Sequence, residues 1–201
     1  PEYNKRAGRL FSLEDRIVEC LIRSQNASGV KTVADRSDTS DGNGNPTLRS
    51  REVVALSAYI SWLSADFPAG SQLRWRGQNA IPRENLIQVD RLDPKRGRRL
   101  FLEKCVSCHG ANGQGVEIGD KKAGPLWGPA SWNGGSGAAR VYTLAGIIRY
   151  TMPYLDPGSL TDEEAQQIAA FINSKPRPRY PFKEKDYQTE KIPPDAVYYK
   201  R

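Results

Sequence analysis

The chain has 201 residues, 30 Lys+Arg against 23 Asp+Glu, a formal net charge of +7 and 38% hydrophobic residues. That length holds one or two domains, and so low an apolar share leaves only small cores unless a large apolar cofactor fills one. The positive charge is spread along the chain without a nucleic-acid recognition motif, so small anions or an acidic protein surface suit it better than nucleic acid, and no run approaches the roughly 18–20 apolar residues that span a bilayer.

In chain order, "LFSLEDRIVECLIRS" (10–24) predicts a helix, with Ser12 as N-cap and Asp15 three residues on. Leu13, Ile17, Cys20, Leu21 and Ser24 share one face of it. The polar segment "QNASGVKTVADRSDTSDGNGNPT" predicts a long loop. A second helix is expected over 48–65, with Val53, Leu56, Ile60 and Leu63 on one side. Residues 67–92 hold breakers without periodicity and are expected to link two domains, 1–66 and 93–175. Asp93 and Pro94 open the next helix, to Lys104. A Gly/Pro-rich loop, "AGPLWGPASWNGGSGAAR", leads to a short helix ending near Met152. "LTDEEAQQIAAFINS" predicts a capped helix, with Thr161 and Glu164 as a capping box and Ile168, Phe171 and Ile172 buried. The Pro-rich, charged residues 176–201 are expected to form an extended surface tail.

Between these elements stands "CVSCHGANGQG". Cys105, Cys108 and His109, the only histidine in the chain, form C-x-x-C-H, the c-type haem attachment signature. Two intervening residues let one helical turn present both sulfurs to the same edge of the porphyrin, and the adjacent histidine supplies an axial nitrogen. A redox dithiol would need a surrounding βαβ pattern, which is missing. A zinc site would need two further ligands, and only one Cys and no His remain. Met152, the only methionine, precedes the final helix where small haem domains place a distal thioether. The order helix, C-x-x-C-H, loop, short helix, Met, helix is that of class I cytochromes c, in which Gly97 and Phe101 would cross the last helix.

The third cysteine, Cys20, has no partner left within the chain. Three readings stay open: a buried structural thiol, an intermolecular disulfide or a reactive thiolate. Arg16 and Ser24 lie one turn before and after it, Arg23 is three residues on, and Arg6 and Arg9 precede the helix. Cationic neighbours favour thiolate, and arginines can hold sulfur oxyanions in bidentate fashion.

Taken together, "RAGRLFSLEDRIVECLIRSQN", "CVSCHGANGQG", "GPLWGPASWNGGSGAAR", "YTMP" and "LTDEEAQQIAAFINSKPRPRYPF" resemble the dihaem thiosulfate dehydrogenases. These couple two thiosulfates to tetrathionate or run the reverse. The resemblance implies a mainly α chain of two class I cytochrome c-like domains, the first incomplete, with an extended C-terminal tail. It implies haem c on Cys105 and Cys108 with His109 and Met152 as axial ligands. It makes Cys20 the thiolate ligand of a catalytic haem, with Arg6, Arg16 and Ser24 lining a thiosulfate pocket, and electrons leaving to an acceptor such as another cytochrome.

The family attaches its first haem through an upstream C-x-x-C-H that this chain does not contain. Either a missing N-terminal part brings that haem, or another polypeptide does, or it has been lost. "RSQNASG" also departs from the Met-Asn-Gly run the family favours. Compartments that make c-type haem lie outside the cytoplasm, so the periplasm is the expected location, the signal peptide not being in this chain. The rival expectation is a non-catalytic electron-transfer cytochrome subunit of a larger redox complex, with residues 1–66 as a docking domain. A third is a sulfur-oxidising cytochrome whose substrate is carried on a partner protein.

Overall fold

The structure is a computed structural model, and it describes residues 2–25, 51–68, 70, 71, 74 and 77–199. The loop expected after Gln25 lies outside the described residues. The chain divides into two units: residues 1–74 with 180–191, and residues 75–179 with 192–201. Among the described residues no helix is long and apolar enough to cross a membrane.

The first unit opens with a hairpin, β1 (Glu2–Asn4) pairing antiparallel with β2 (Arg9–Phe11). Gly8 closes its turn at φ +66°, a conformation that favours glycine. Ser12 then caps α1 (Leu13–Ser24). Its hydroxyl accepts from the Asp15 N–H, and the Asp15 carboxylate accepts from the Ser12 N–H. Ile17 and Leu21, one turn apart, bury against Val53 of α2 (Arg51–Leu63). The Ser57 hydroxyl of α2 donates to Glu14 of α1. Residues 180–191 complete this unit. Tyr180 is buried, and Asp186, whose side chain is 2% exposed, accepts from Arg6 Nε and Arg23 Nη1 at 2.7 Å each.

The second unit holds α3 (Pro94–Lys104), the single turn α4 (Val106–His109), a small hairpin of β3 (Glu117–Ile118) and β4 (Lys121–Lys122), α5 (Val141–Thr151) and α6 (Asp162–Asn173). The capping box at Thr161 and Glu164 forms as its spacing predicts. Helices α3 and α6 cross at Gly97. A Cβ there would lie 2.0 Å from the Gln167 carbonyl oxygen, so only glycine lets the backbones approach. Phe101, fully buried, then meets Phe171 at 5.4 Å and Trp127 at 5.5 Å between ring centroids. Leu144, Ala145, Ile148 and Ile168 continue the core between α5 and α6.

Two expectations need correction. Much of the stretch expected as a linker packs on the second unit. Ile81 and Leu92 are buried in its core, and two side-chain amides of α6 hold the intervening backbone. Gln166 Oε1 accepts from the Ile87 N–H at 2.9 Å and Gln167 Oε1 from the Asp93 N–H at 2.8 Å. These bonds need no periodic apolar pattern, so periodicity misses them. The tail, likewise, is pinned rather than spread on a surface. Asp195 is buried and accepts from Arg140 Nη2 at 2.7 Å and the Tyr142 N–H at 3.2 Å, while Ala196 and Tyr199 are buried in the second unit.

Candidate functional site

The C-x-x-C-H run begins where α3 ends. Cys105 is at once the C-cap of α3, its N–H donating to the Phe101 carbonyl at 2.9 Å, and the residue that opens α4. The His109 N–H donates back to the Cys105 carbonyl at 2.9 Å, so all three functional side chains project from one helical turn. Gly110, at φ +71°, ends the turn. The loop beyond folds back, with the Gly115 N–H on the His109 carbonyl at 2.8 Å and the Val116 N–H on the Cys108 carbonyl at 2.9 Å. Both thiols are half-buried and free of disulfide. Burial and the neighbouring Cys108 push the Cys105 thiol up to about 11.

His109 is half-buried, and its Nδ1 is buried with no hydrogen-bond partner. Burial holds the imidazole below its ordinary pKa, so the ring is neutral and keeps a lone pair. Met152 ends α5. Its N–H donates to the Ile148 carbonyl at 3.1 Å, its backbone is extended, and its side chain is half-buried. Two thiols on one turn, a neutral imidazole with an unsatisfied nitrogen and a thioether outside hydrogen bonding form a donor set that fits a c-type haem. Among the described residues, no three His, Cys, Asp or Glu side chains converge as a metal-ion cluster.

The first unit holds a second feature. A cavity of about 300 Å³ opens between α1 and α2, lined by Leu13, Arg16, Ile17, Cys20, Leu21, Gln25, Leu56 and Ile60. Cys20 is exposed on it, and so is Arg16. The helix face expected as core is thus divided: Ile17 and Leu21 are buried, while Cys20 is left open. On α2 only Val53 of the expected face is buried. Leu56 and Ile60 line the cavity, and Leu63, with Tyr59, Trp62 and Phe67, is exposed. So much exposed apolar surface on a short helix is unusual for a finished soluble face.

Of the basic residues expected around Cys20, the structure places only Arg16 beside it in the cavity lining. Arg6 and Arg23 are drawn to Asp186, and Arg23 also pairs with Glu19 and stacks on the Tyr180 ring at 3.9 Å. Arg9 bonds Asp15 at 2.9 Å. Ser24 is exposed and is not among the residues lining the cavity. Sequence reasoning gave no weight to Asp186, because nothing in a polar tail marks one carboxylate as the partner of guanidiniums more than 160 residues away.

The second unit's fold and its C-x-x-C-H turn define a class. The cytochrome c family profile matches residues 94–176, from α3 to just beyond α6, and this region is a c-type cytochrome domain. Similarity reaches further along the chain. It is 35% identical to a thiosulfate dehydrogenase of Psychrobacter arcticus over 201 residues, covering 98% of this chain and 54% of the relative. It is 36% identical to one of Allochromatium vinosum over 182 residues, covering 90% of this chain and 60% of the relative. A solved thiosulfate dehydrogenase (TsdBA) from Marichromatium purpuratum, in its as-isolated form, superposes with a TM-score of 0.73 at 35% identity, covering 90% of this chain and 36% of that one. Over nearly all of its length the chain is similar to these thiosulfate dehydrogenases. It spans 54% and 60% of the length of these two curated relatives.

Proposed function

We propose that this chain is part of a periplasmic c-type cytochrome oxidoreductase that oxidises thiosulfate to tetrathionate. Two thiosulfate dianions join through their terminal sulfurs, one S–S bond forms, and two electrons pass one at a time to two molecules of a one-electron acceptor protein such as another cytochrome. The observation that carries the reading is the open cavity that sets Cys20 and Arg16 among apolar walls, in a chain that also holds the C-x-x-C-H turn.

In this reading Cys105 and Cys108 would hold haem c covalently, and His109 and Met152 would supply nitrogen and sulfur to its iron. A second haem would lie against Cys20 on the apolar walls from α1 and α2, brought by a segment or partner outside this chain. Haem, when bound, supplies a reversible one-electron centre. The protein's own residues do the rest. The neutral His109 ring presents a lone pair. Arg16 attracts the sulfur oxyanions and offsets the repulsion between two dianions brought close together. The Cys20 sulfur would serve as a soft ligand. We assign Arg6 to holding residues 180–191 through Asp186, while Ser24, the last residue of α1, lies outside the cavity lining.

Turnover with thiosulfate and a one-electron acceptor tests the reading, together with intact mass, which counts covalent haems. C20A should lose at least a hundredfold in turnover while keeping the haem at Cys105 and Cys108. A fully active C20A would leave the electron-transfer subunit as the better account.

A further inference from the structure

We propose that Asp186 is a positioning residue for Cys20: with Tyr180 it fixes the turn of α1 that carries the cysteine, so the tail sets where that sulfur stands against the cavity walls. This rests on the thiosulfate reading above, in which the Cys20 sulfur has to meet a partner in the cavity, and adds the group that aims it.

On its cavity side α1 meets apolar walls and open space, and Cys20 is exposed there. Its adjoining flank is tightly held. Glu19 directly precedes the cysteine and Arg23 lies three residues on, so both share its stretch of helix. Arg23 sends Nη1 and Nη2 to the two oxygens of Asp186 at 2.7 Å each, and its Nε pairs with Glu19. The Arg23 Cζ lies 3.9 Å from the Tyr180 ring centroid, and the Tyr180 hydroxyl donates to Glu19 at 3.2 Å. Burial holds the Tyr180 phenol above its ordinary pKa, so the hydroxyl keeps the proton it donates. The fastening continues to the hairpin. Arg6 gives Nε to Asp186 at 2.7 Å, its carbonyl accepts from the Tyr187 N–H at 2.9 Å, and its Cζ lies 5.0 Å from the Tyr187 ring centroid. All of these residues belong to the first unit.

Stability alone does not account for this clamp. A buried ion pair costs so much desolvation that apolar residues of like volume often stabilise as well or better. What a bidentate guanidinium–carboxylate pair adds is geometry, since two parallel bonds fix both distance and angle. Tyr187 bears the same mark. Among the described residues it is the one non-glycine residue at positive φ, +58°, and a bulky residue keeps that backbone only where its surroundings over-determine it. Fixed geometry matters most beside an atom that has to meet a partner, because a misplacement of about 1 Å can cost about a hundredfold in rate. On this turn of α1 that atom is the Cys20 sulfur.

The test compares the parent with D186N, D186E and Y180F, both in the complete thiosulfate-oxidising assembly and in this haem-loaded chain. In the assembly, D186N should lower kcat by about tenfold or more, the cost of a displaced reacting atom. KM should stay within about twofold, because Arg16, which attracts the anion, is held elsewhere, by Glu2 at 3.5 Å. In the chain, Cys20 is labelled with apolar N-ethylmaleimide and with charged iodoacetate, and peptide mass gives each rate. D186N should lower the maleimide-to-iodoacetate ratio by about fourfold, the worth of one methylene's contact with an apolar wall. Mere loosening of α1 would raise both rates together and leave the ratio alone. Y180F should move kcat and the ratio the same way by less, and D186E should recover part of both. Parent kcat and parent ratio in D186N, or in Y180F where D186N does not fold, would overturn the assignment even if the variant melts earlier. A D186E protein no better than D186N would overturn it too. A parent without thiosulfate turnover would instead sink the thiosulfate reading, while the labelling ratio, which needs no turnover, still decides the positioning.

Discussion

Asp186 answers two guanidiniums with one carboxylate. Arg23 donates to it through Nη1 and Nη2, Arg6 donates through Nε, and the acid is nearly inaccessible. Removing the acid leaves Arg23, with a side chain only 11% exposed, without its principal counter-charge. Breaking such a buried pair from one side costs about 3–5 kcal/mol. D186N should therefore loosen residues 180–191 and the C-terminal half of α1, seen as faster hydrogen exchange at the amides of Ile22 and Arg23. Exchange in α6 should stay unchanged, since α6 belongs to the other unit. Slow exchange retained in α1 would show that the apolar contacts of Tyr180 suffice.

At the scale of elements, the α3–α6 crossing depends on a missing side chain. A methyl at Gly97 meets the Gln167 carbonyl oxygen, which is backbone and cannot swing aside. G97A should cost about 1–3 kcal/mol, the range for overpacking a tight interior, and thermal melting checks it. The same crossing positions Cys105, which closes α3, so on the haem reading proposed above G97A should also reduce the yield of protein with covalent haem, counted by mass. The start of α6 carries an acid-sensitive lock. Hydrogen bonds from Asn85 and then Arg149 hold Asp162 below the usual carboxylate range, and the Thr161 N–H does the same for Glu164. A depressed folded-state pKa contributes stability above the unfolded value. That stability is lost as pH falls through the folded value. The second unit should therefore weaken below about pH 4, since reference carboxylates titrate near 3.9–4.3. D162N should flatten that acid limb in denaturation curves. Both groups are half-buried and keep contact with solvent, so the effect is modest and shrinks with salt.

At the scale of the whole molecule, the chain builds one closed core and one that stays open. The second unit buries Phe101, Ile168 and their neighbours and folds around its C-x-x-C-H turn. Among the described residues, the first unit buries only Ile17, Leu21 and Val53 between its helices and leaves α2 largely apolar to solvent. An apolar ligand should accordingly bind there. A hydrophobic fluorescent probe should brighten on the protein, and L56D should reduce that signal while leaving slow hydrogen exchange in α6 of the second unit intact.

The sequence by itself determined whatever depends on residues close together along the chain. Both capping boxes, the helices they start and the C-x-x-C-H turn are local, because hydrogen bonds three or four residues apart and two thiols on one turn need no distant partner. Its low apolar share also pointed to a core completed by something other than side chains. Only the tertiary structure decided which charges are spent at long range. Asp186 claims Arg6 and Arg23, and Asp195 claims Arg140, so of the basic residues near Cys20 only Arg16 lines its cavity. Tertiary structure likewise left Trp132 Nε1 and Arg177 Nε buried without a partner. The reason is the same in each case: a buried charge or N–H is settled by whatever partner the fold brings beside it, and one-dimensional spacing carries no record of that neighbour.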